Sequence, residues 1–438
     1  MDRVITAARS PLGGRIGVPG DKSLSHRAVL FAAMAAGTSV LSGVLDSADV
    51  RSTISVVRAL GAGIEFVEAP TGSLVVSVTG WGAFGPRTPD NSLECGNSGT
   101  TARLLLGVLA GWPGPFTLTG DESLSRRPMG RVTIPLGEMG ASFDPADGTL
   151  PITVSGVPLA PIIYESPVAS AQVKTALLLA GLRAEGRTVV RESALSRDHT
   201  ERLLPAFGVT VGRDILQSSC WVDGPVTPVA ADVIVPGDPS SAAFLVAAGL
   251  LVAGSKIVIE DVALNPTRIG FLHVLDRMGA GVRITPAGME GTEPVGSITV
   301  EGTGGLTATT ITPDEVPSLI DEVPVLALLA TQATGVTRFE GVGELRVKES
   351  DRLEAIAAGL TALGARVTAG PESLVIEGPT LLGGANLSSL HDHRLAMTWA
   401  LAGLIAVDPV TIAGFEAVAV SYPRFLDDLA ALGAVQGA

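Results

Sequence analysis

Lysines and arginines crowd the predicted helix starts of this sequence. Lys22 and Arg27 flank one start after Gly20, Lys348 and Arg352 flank another, and Arg394 opens a third. Arg126, Arg127 and Arg131 surround a fourth at Pro128. A helix N-terminus already carries partial positive charge, so a cation there costs about 0.3–1 kcal/mol. One such placement needs no explanation. Repetition at equivalent ends points to bound anions, which free N–H groups and cationic side chains grip together.

The motifs around these cations sharpen that reading. In GDKSLSHRA, Gly20 permits a tight turn, Lys22 supplies a point charge, and Ser23 and Arg27 share a helical face. The segment is not a Walker phosphate loop, because Asp21 separates Gly20 from Lys22 where that motif needs Gly directly before Lys. In ECGNSGTTAR, Asn97, Ser98 and Gly99 form a turn into a helix, and a residue as small as Gly99 lets a ligand approach the backbone. In SRRPMGR, Pro128 is expected in the first helical turn, where it fixes the loop, and an Arg before it suits bidentate grip of phosphate. SAQVK offers Ser170 and Gln172 before an apolar helix, and SRDHTE offers Ser196 and Arg197; for both serines a helix-capping role is the competing reading.

Acids complete the chemistry. Asp321 is expected to enter the apolar helix of PSLIDEVPVLALLA, which it could cap; functionally, a partly buried carboxylate there suits proton abstraction from a hydroxyl. In RVKESDRLEA, Glu349 sits between Lys348 and Arg352 as an acid or base candidate, with Ser350 or Asp351 free to cap the helix. In HDHR, His391 and His393 with Asp392 lack a third metal ligand, so Arg394 is read as an anion ligand and no metal is expected.

The elements that position these residues recur. A short phrase appears six times: ALGAG at 59–63, EMGAS at 138–142, AFGVT at 206–210, RMGAG at 277–281, ALGAR at 362–366 and ALGAV at 431–435. Each closes an amphipathic stretch, and glycine there is a C-cap signal. A more apolar helix lies upstream of each, and β-prone segments separate the two. The unit therefore reads helix, strand, helix, strand. VPGD at 18–21 returns at 235–238 and opens each run of three units. We expect an α/β chain of two similar domains, 20–236 and 1–19 joined to 237–438, with hinges at 17–20 and 235–238. Pro-Gly at both crossings suits a hinge.

Composition bounds the partners. At 438 residues two domains are the default. A formal net charge of −14 argues against nucleic acid or an anionic membrane. The longest charge-free apolar run, 242–254, is too short to span a bilayer, and the first residues lack a signal-peptide core. With two cysteines, Cys95 and Cys220, a disulfide framework is not expected. The expectation is a cytoplasmic monomer.

GDKSLSHRA, NSGTTAR, RRPMGR, SAQVK, RVKESDRL and DHRLAM, in this order, resemble the motif set of the 5-enolpyruvylshikimate-3-phosphate (EPSP) synthases. NPTR at 265–268, SAQVK and SRDHTE further resemble the class II subgroup, often glyphosate-tolerant. The resemblance implies the inside-out α/β barrel fold of the enolpyruvyl transferases, two domains of three βαβαββ-type units each, closing over substrate. It implies transfer of enolpyruvyl from phosphoenolpyruvate to the 5-hydroxyl of shikimate 3-phosphate, without cofactor or metal. Lys22, Ser23 and Arg27 would then hold shikimate 3-phosphate, with Ser170, Gln172, Asp321 and Lys348 completing that site and Ser196 and Arg197 near its phosphate. Lys22, Gly99, Arg127, Gln172, Arg352 and Arg394 would hold phosphoenolpyruvate. Asp321, Glu349 and Lys22 would carry the proton transfers.

Two positions depart from the pattern. Val420 stands where many relatives carry lysine, and strongly tolerant class II members often have Ala where Gly99 stands. UDP-N-acetylglucosamine enolpyruvyl transferase is the nearest rival, but 107–127 holds no Cys and position 23 is Ser rather than Asn. A non-catalytic anion-binding protein on the same fold is disfavoured by Lys22, Asp321 and Glu349 occurring together.

Overall fold

The computed structural model describes residues 2–69, 72–145, 148–302 and 304–434; Val435, the last residue of the sixth repeated phrase, lies outside them. The chain forms two compact units, one of Gly20–Val235 and the other of Met1–Pro19 with Pro236–Ala438, so Pro236 belongs with the latter.

Among the described residues each unit holds three small sheets, five of the six four-stranded on one plan and one, Arg3–Ile5 with Val410–Ala413 and Asn386–Ser388, three-stranded. In Gly20–Val235, Ile163–Ser166 runs parallel to Gly186–Glu192, which pairs antiparallel with Ser219–Gly224, which pairs antiparallel with Val211–Asp214. Leu93–Glu94, Phe116–Thr119, Ile152–Ser155 and Ser142–Asp144 repeat that order. So do Val233–Ile234, Ala36–Leu45, Ser73–Trp81 and Gly63–Glu68, the first strand coming from the far end of the unit. In the other unit, Gly13–Gly17 and Arg3–Ile5 pair with Lys256–Ala263 and Val410–Ala413, which ties the N-terminal residues to this half.

Between the sheets run helices of two kinds. Lys22–Met34, Gly99–Leu109 and Ala171–Gly181 are buried along most of their length in one unit, as are Pro239–Leu251, Val323–Ala330 and His393–Gly403 in the other. Alanine and glycine make this possible. A Cβ at Gly107 would strike the backbone of Ala176, so Gly99–Leu109 and Ala171–Gly181 approach closely only because the side chain is absent. The second kind is amphipathic and ends at the repeated phrase. Gly61, Gly140, Gly208, Gly279, Gly364 and Gly433 all have positive φ, the left-handed conformation that closes a helix at low cost to glycine.

Caps sharpen the starts of the buried helices. Asp21, Ser98, Ser170, Asp238 and Asp392 each accept a backbone N–H from the first turn. Three expectations need correction. Pro128 lies ahead of its helix, Gly130–Glu138, not in the first turn. Asp321 belongs to a single 3-10 turn, Ile320–Glu322, that precedes the apolar helix Val323–Ala330. Ser196 caps nothing: the following helix, His199–Leu203, begins after Asp198.

Candidate active site

In Gly20–Val235 the motif residues gather at the N-terminal ends of the three buried helices. Lys22 Nζ donates to Asp49 Oδ2 at 3.0 Å. Arg27, buried, donates from Nη1 to the Ser23 carbonyl at 3.0 Å, from Nε to Thr200 Oγ1 at 2.8 Å and from Nη2 to Thr175 Oγ1 at 3.0 Å. These bonds fix the guanidinium before any ligand arrives. His26 Nδ1 meets Thr53 Oγ1 at 2.7 Å, Thr53 Oγ1 meets Thr101 Oγ1 at 2.6 Å, and Thr101 Oγ1 donates to the capping Ser98 at 2.7 Å. This relay locks the Lys22–Met34 helix start to the Gly99–Leu109 start. Burial, then Lys22 and Arg27, push the His26 pKa well below its ordinary value, so its ring is neutral at pH 7.

Gln172 is held between Arg103 and Thr100. Arg103 Nη1 donates to Gln172 Oε1 at 2.8 Å, and Gln172 Nε2 donates to Thr100 Oγ1 at 3.0 Å. A Cβ at Gly99 would come within 2.9 Å of Arg103 Nη1 and 3.4 Å of Arg127 Nη1. Arg127, buried, donates to the Asn97 side-chain carbonyl and to Ser123 Oγ, whereas Arg126 faces out and pairs with Glu122. Of the adjacent arginines, only the second is turned inward. Ser196 is buried, and its Oγ has no hydrogen-bonding partner among the described residues; Arg197 beside it is partly exposed.

The second set lies in the other unit and centres on Arg352, 1% exposed. Its Nε donates to Asp392 Oδ2 at 2.6 Å, its Nη1 to Asp321 Oδ1 at 3.2 Å, and its Nη2 to Glu349 Oε2 at 2.5 Å. Burial alone would disfavour the charge, but Asp392, Glu349 and Asp321 raise the guanidinium above its ordinary pKa. Arg394 Nη1 donates to the Asp321 carbonyl at 3.0 Å, and Lys348 Nζ lies 4.0 Å from Asp321 Oδ1. One carboxylate thus faces three cations, an arrangement that suits anionic substrates and holds Asp321 in place. Asp351 caps the Arg352–Ala362 helix, leaving Ser350 to donate to Asp392. Val420 ends a 3-10 turn, Phe415–Val420.

Sequence reasoning passed over Asp49, Arg103 and Asp392 as working parts. Arg103 could have been found, since it lies one helical turn beyond Gly99 within a motif already singled out. Asp392, given no role in the HDHR reading, caps the helix that Arg394 opens and grips Arg352. Asp49 had no local signal.

The motif set and sheet plan have counterparts in known proteins. The model of the family described as EPSP synthase (3-phosphoshikimate 1-carboxyvinyltransferase) matches residues 6–429. Proteins named 3-phosphoshikimate 1-carboxyvinyltransferase are 46% identical in Bacillus cereus (strain G9842), over 98% of both chains. The protein of that name from Bacillus subtilis (strain 168) is 47% identical, over 95% of this chain and 96% of its own. A solved EPSP synthase from Acinetobacter baumannii superposes with a TM-score of 0.85 at 39% identity, over 99% of this chain and 98% of its own. The enolpyruvyl transferase NikO from Streptomyces tendae shares the fold, with a TM-score of 0.77 at 20% identity over 99% and 97% of the two chains.

The architecture is therefore that of the enolpyruvyl transferases. Within that class the chain belongs to the EPSP synthase family, the 3-phosphoshikimate 1-carboxyvinyltransferases. It is a transferase that moves enolpyruvyl from phosphoenolpyruvate to the 5-hydroxyl of shikimate 3-phosphate and releases phosphate.

Proposed function

We propose that residues of both sets serve each substrate. Lys22, Ser23, Arg27, Ser170, Gln172, Ser196, Arg197 and Lys348 take shikimate 3-phosphate. Lys22, Gly99, Arg127, Gln172, Arg352 and Arg394 take phosphoenolpyruvate. Asp321 accepts the proton of the 5-hydroxyl as that oxygen attacks C2 of phosphoenolpyruvate, and Glu349, assisted by Lys22, delivers a proton to C3. The resulting tetrahedral adduct then loses phosphate from C2 and a proton from C3, restoring the double bond. The enzyme works as a cytoplasmic monomer.

One observation carries the acid–base assignment: Arg352 donates to Asp321 and to Glu349 with two nitrogens of one guanidinium. An anion that takes Arg352 loosens its hold on both carboxylates, which become free to exchange protons with substrate. Substrate binding would thus prepare the proton carriers. The arginines that remain stabilise charge developing on the departing phosphate.

The test is phosphate release from phosphoenolpyruvate with wild type and Asp321→Asn, using shikimate 3-phosphate or UDP-N-acetylglucosamine as acceptor. Release with shikimate 3-phosphate alone, slowed about 10²–10⁴-fold in Asp321→Asn, is expected for loss of a general base. Undiminished release in Asp321→Asn would remove that residue from the chemistry.

A further inference from the structure

Behind Ser196 lies a buried charge cluster with no part in the assignments above. Lys174 Nζ donates to Glu192 Oε2 at 2.7 Å, reaches Glu201 Oε1 at 2.8 Å and donates to the Ser196 carbonyl at 3.4 Å. The side chains of Lys174, Glu192 and Glu201 are 2%, 2% and 5% exposed. An ammonium has three N–H donors, and here each has one acceptor. Burial would lower the Lys174 pKa, but Glu201 and Glu192 outweigh it and raise it, so the group stays charged.

The cluster ties the helix Ala171–Gly181 to the strand Gly186–Glu192 and the helix His199–Leu203, and it also fastens the loop between the last two. The Ser196 N–H donates to Glu192 Oε2 at 3.4 Å while the Ser196 carbonyl accepts from Lys174, so both backbone groups of one residue are fastened to the same ion pair. The other end of the clamp is the first turn of Ala171–Gly181, where the Lys174 N–H donates to the carbonyl of the capping Ser170 at 3.0 Å. Thr175, next along, holds Arg27, and Thr200, next to Glu201, holds it too. Ser170, Ser196 and Arg27 are therefore referenced to neighbouring positions on one helix.

We infer that Lys174 is a positioning residue for the acceptor's phosphate: its ammonium clamps the Ser196–Arg197 loop to the helix that presents Ser170 and Gln172. The inference rests on the reading above that Ser196 and Arg197 meet that phosphate. A pre-set loop saves the ordering cost that binding would otherwise incur.

Lys174→Met alone leaves two carboxylates buried without a cation, which is strongly destabilising. The informative variant is Lys174→Met/Glu192→Gln/Glu201→Gln, which removes the cluster and all its charge. KM for each substrate, kcat and the melting temperature are measured, with Arg197→Ala alongside. We expect the triple variant to melt near wild type, with KM for shikimate 3-phosphate raised about tenfold or more and KM for phosphoenolpyruvate and kcat within about twofold. A folded triple variant with both KM values unchanged, or both raised alike, overturns the inference. Should the triple variant not fold, Lys174→Arg keeps the charge but shifts the donors; a rise in KM for shikimate 3-phosphate alone supports the clamp, and an unchanged KM refutes it. If Arg197→Ala itself leaves KM for shikimate 3-phosphate unchanged, the site assignment fails and the inference with it. A rise there without one in the Lys174 variants sinks the inference alone.

Discussion

Glu349 shares the Arg352 guanidinium with Asp321 and Asp392, so its replacement separates chemistry from binding. Glu349→Gln keeps the size of the side chain but cannot carry a proton to C3. Turnover should fall about 10²–10⁴-fold while both KM values stay close to wild type; steady-state kinetics read this directly, and wild-type turnover would remove Glu349 from the mechanism. Gly99→Ala probes a different contact. The added methyl meets the far ends of two flexible arginines rather than backbone, so the protein should fold. Arg103 must yield and loosen its bond to Gln172, raising KM for phosphoenolpyruvate by about tenfold. An unaltered KM would show that Arg103 does not set Gln172. Residues such as Lys22, Glu349 and Arg352 were legible in the sequence because they sit where helix electrostatics disfavours cations or beside such cations. Their partners Asp49 and Asp392 were not, since only the fold brings Asp49, 27 residues away, and Asp392, 40 residues away, into contact.

Helix starts do most of the positioning. Asp392 caps His393–Gly403 through the Arg394 N–H and also grips Arg352, and two substitutions separate these jobs. Asp392→Asn keeps a capping oxygen but withdraws the charge that faces a buried guanidinium, whereas Asp392→Ala removes both. Both should destabilise by roughly 1.5–3 kcal/mol through lost charge-assisted bonds, since Glu349 and Asp321 still face the guanidinium, with the alanine variant about 1 kcal/mol worse for the missing cap. Denaturant unfolding checks the difference, and equal losses would deny Asp392 its capping role. Helix ends were the most readable feature of the sequence, because the six repeated glycines each meet a local conformational demand. Helix starts were less so. Ser196 resembled a cap and is not one, and Asp321 sits one turn ahead of the expected helix, because Pro324 suits the first turn of Val323–Ala330 and sets its start.

At the scale of the molecule, the repeat is the lesson. Two hydrophobic cores are separate, one wholly within Gly20–Val235 and the other drawn from both ends of the chain. A fragment of residues 20–235 is contiguous, carries its own core and supplies its own edge strand at Val233–Ile234; it should unfold cooperatively by circular dichroism, and a featureless melt would contradict that. The three-plus-three grouping was legible in VPGD and the repeated phrases, whereas the pairing of Val233–Ile234 with Ala36–Leu45 was not, since Val233–Ile234 is too short to stand out from its loop. Cations at helix starts are proposed to hold both substrates. A crystal structure with shikimate 3-phosphate and phosphoenolpyruvate bound to Asp321→Asn tests this most directly. Ser196 and Arg197 should lie on the acceptor's phosphate, and Arg127, Arg352 and Arg394 on phosphoenolpyruvate. Ligands seated on other residues, with these arginines still paired only to their own carboxylates, would contradict it.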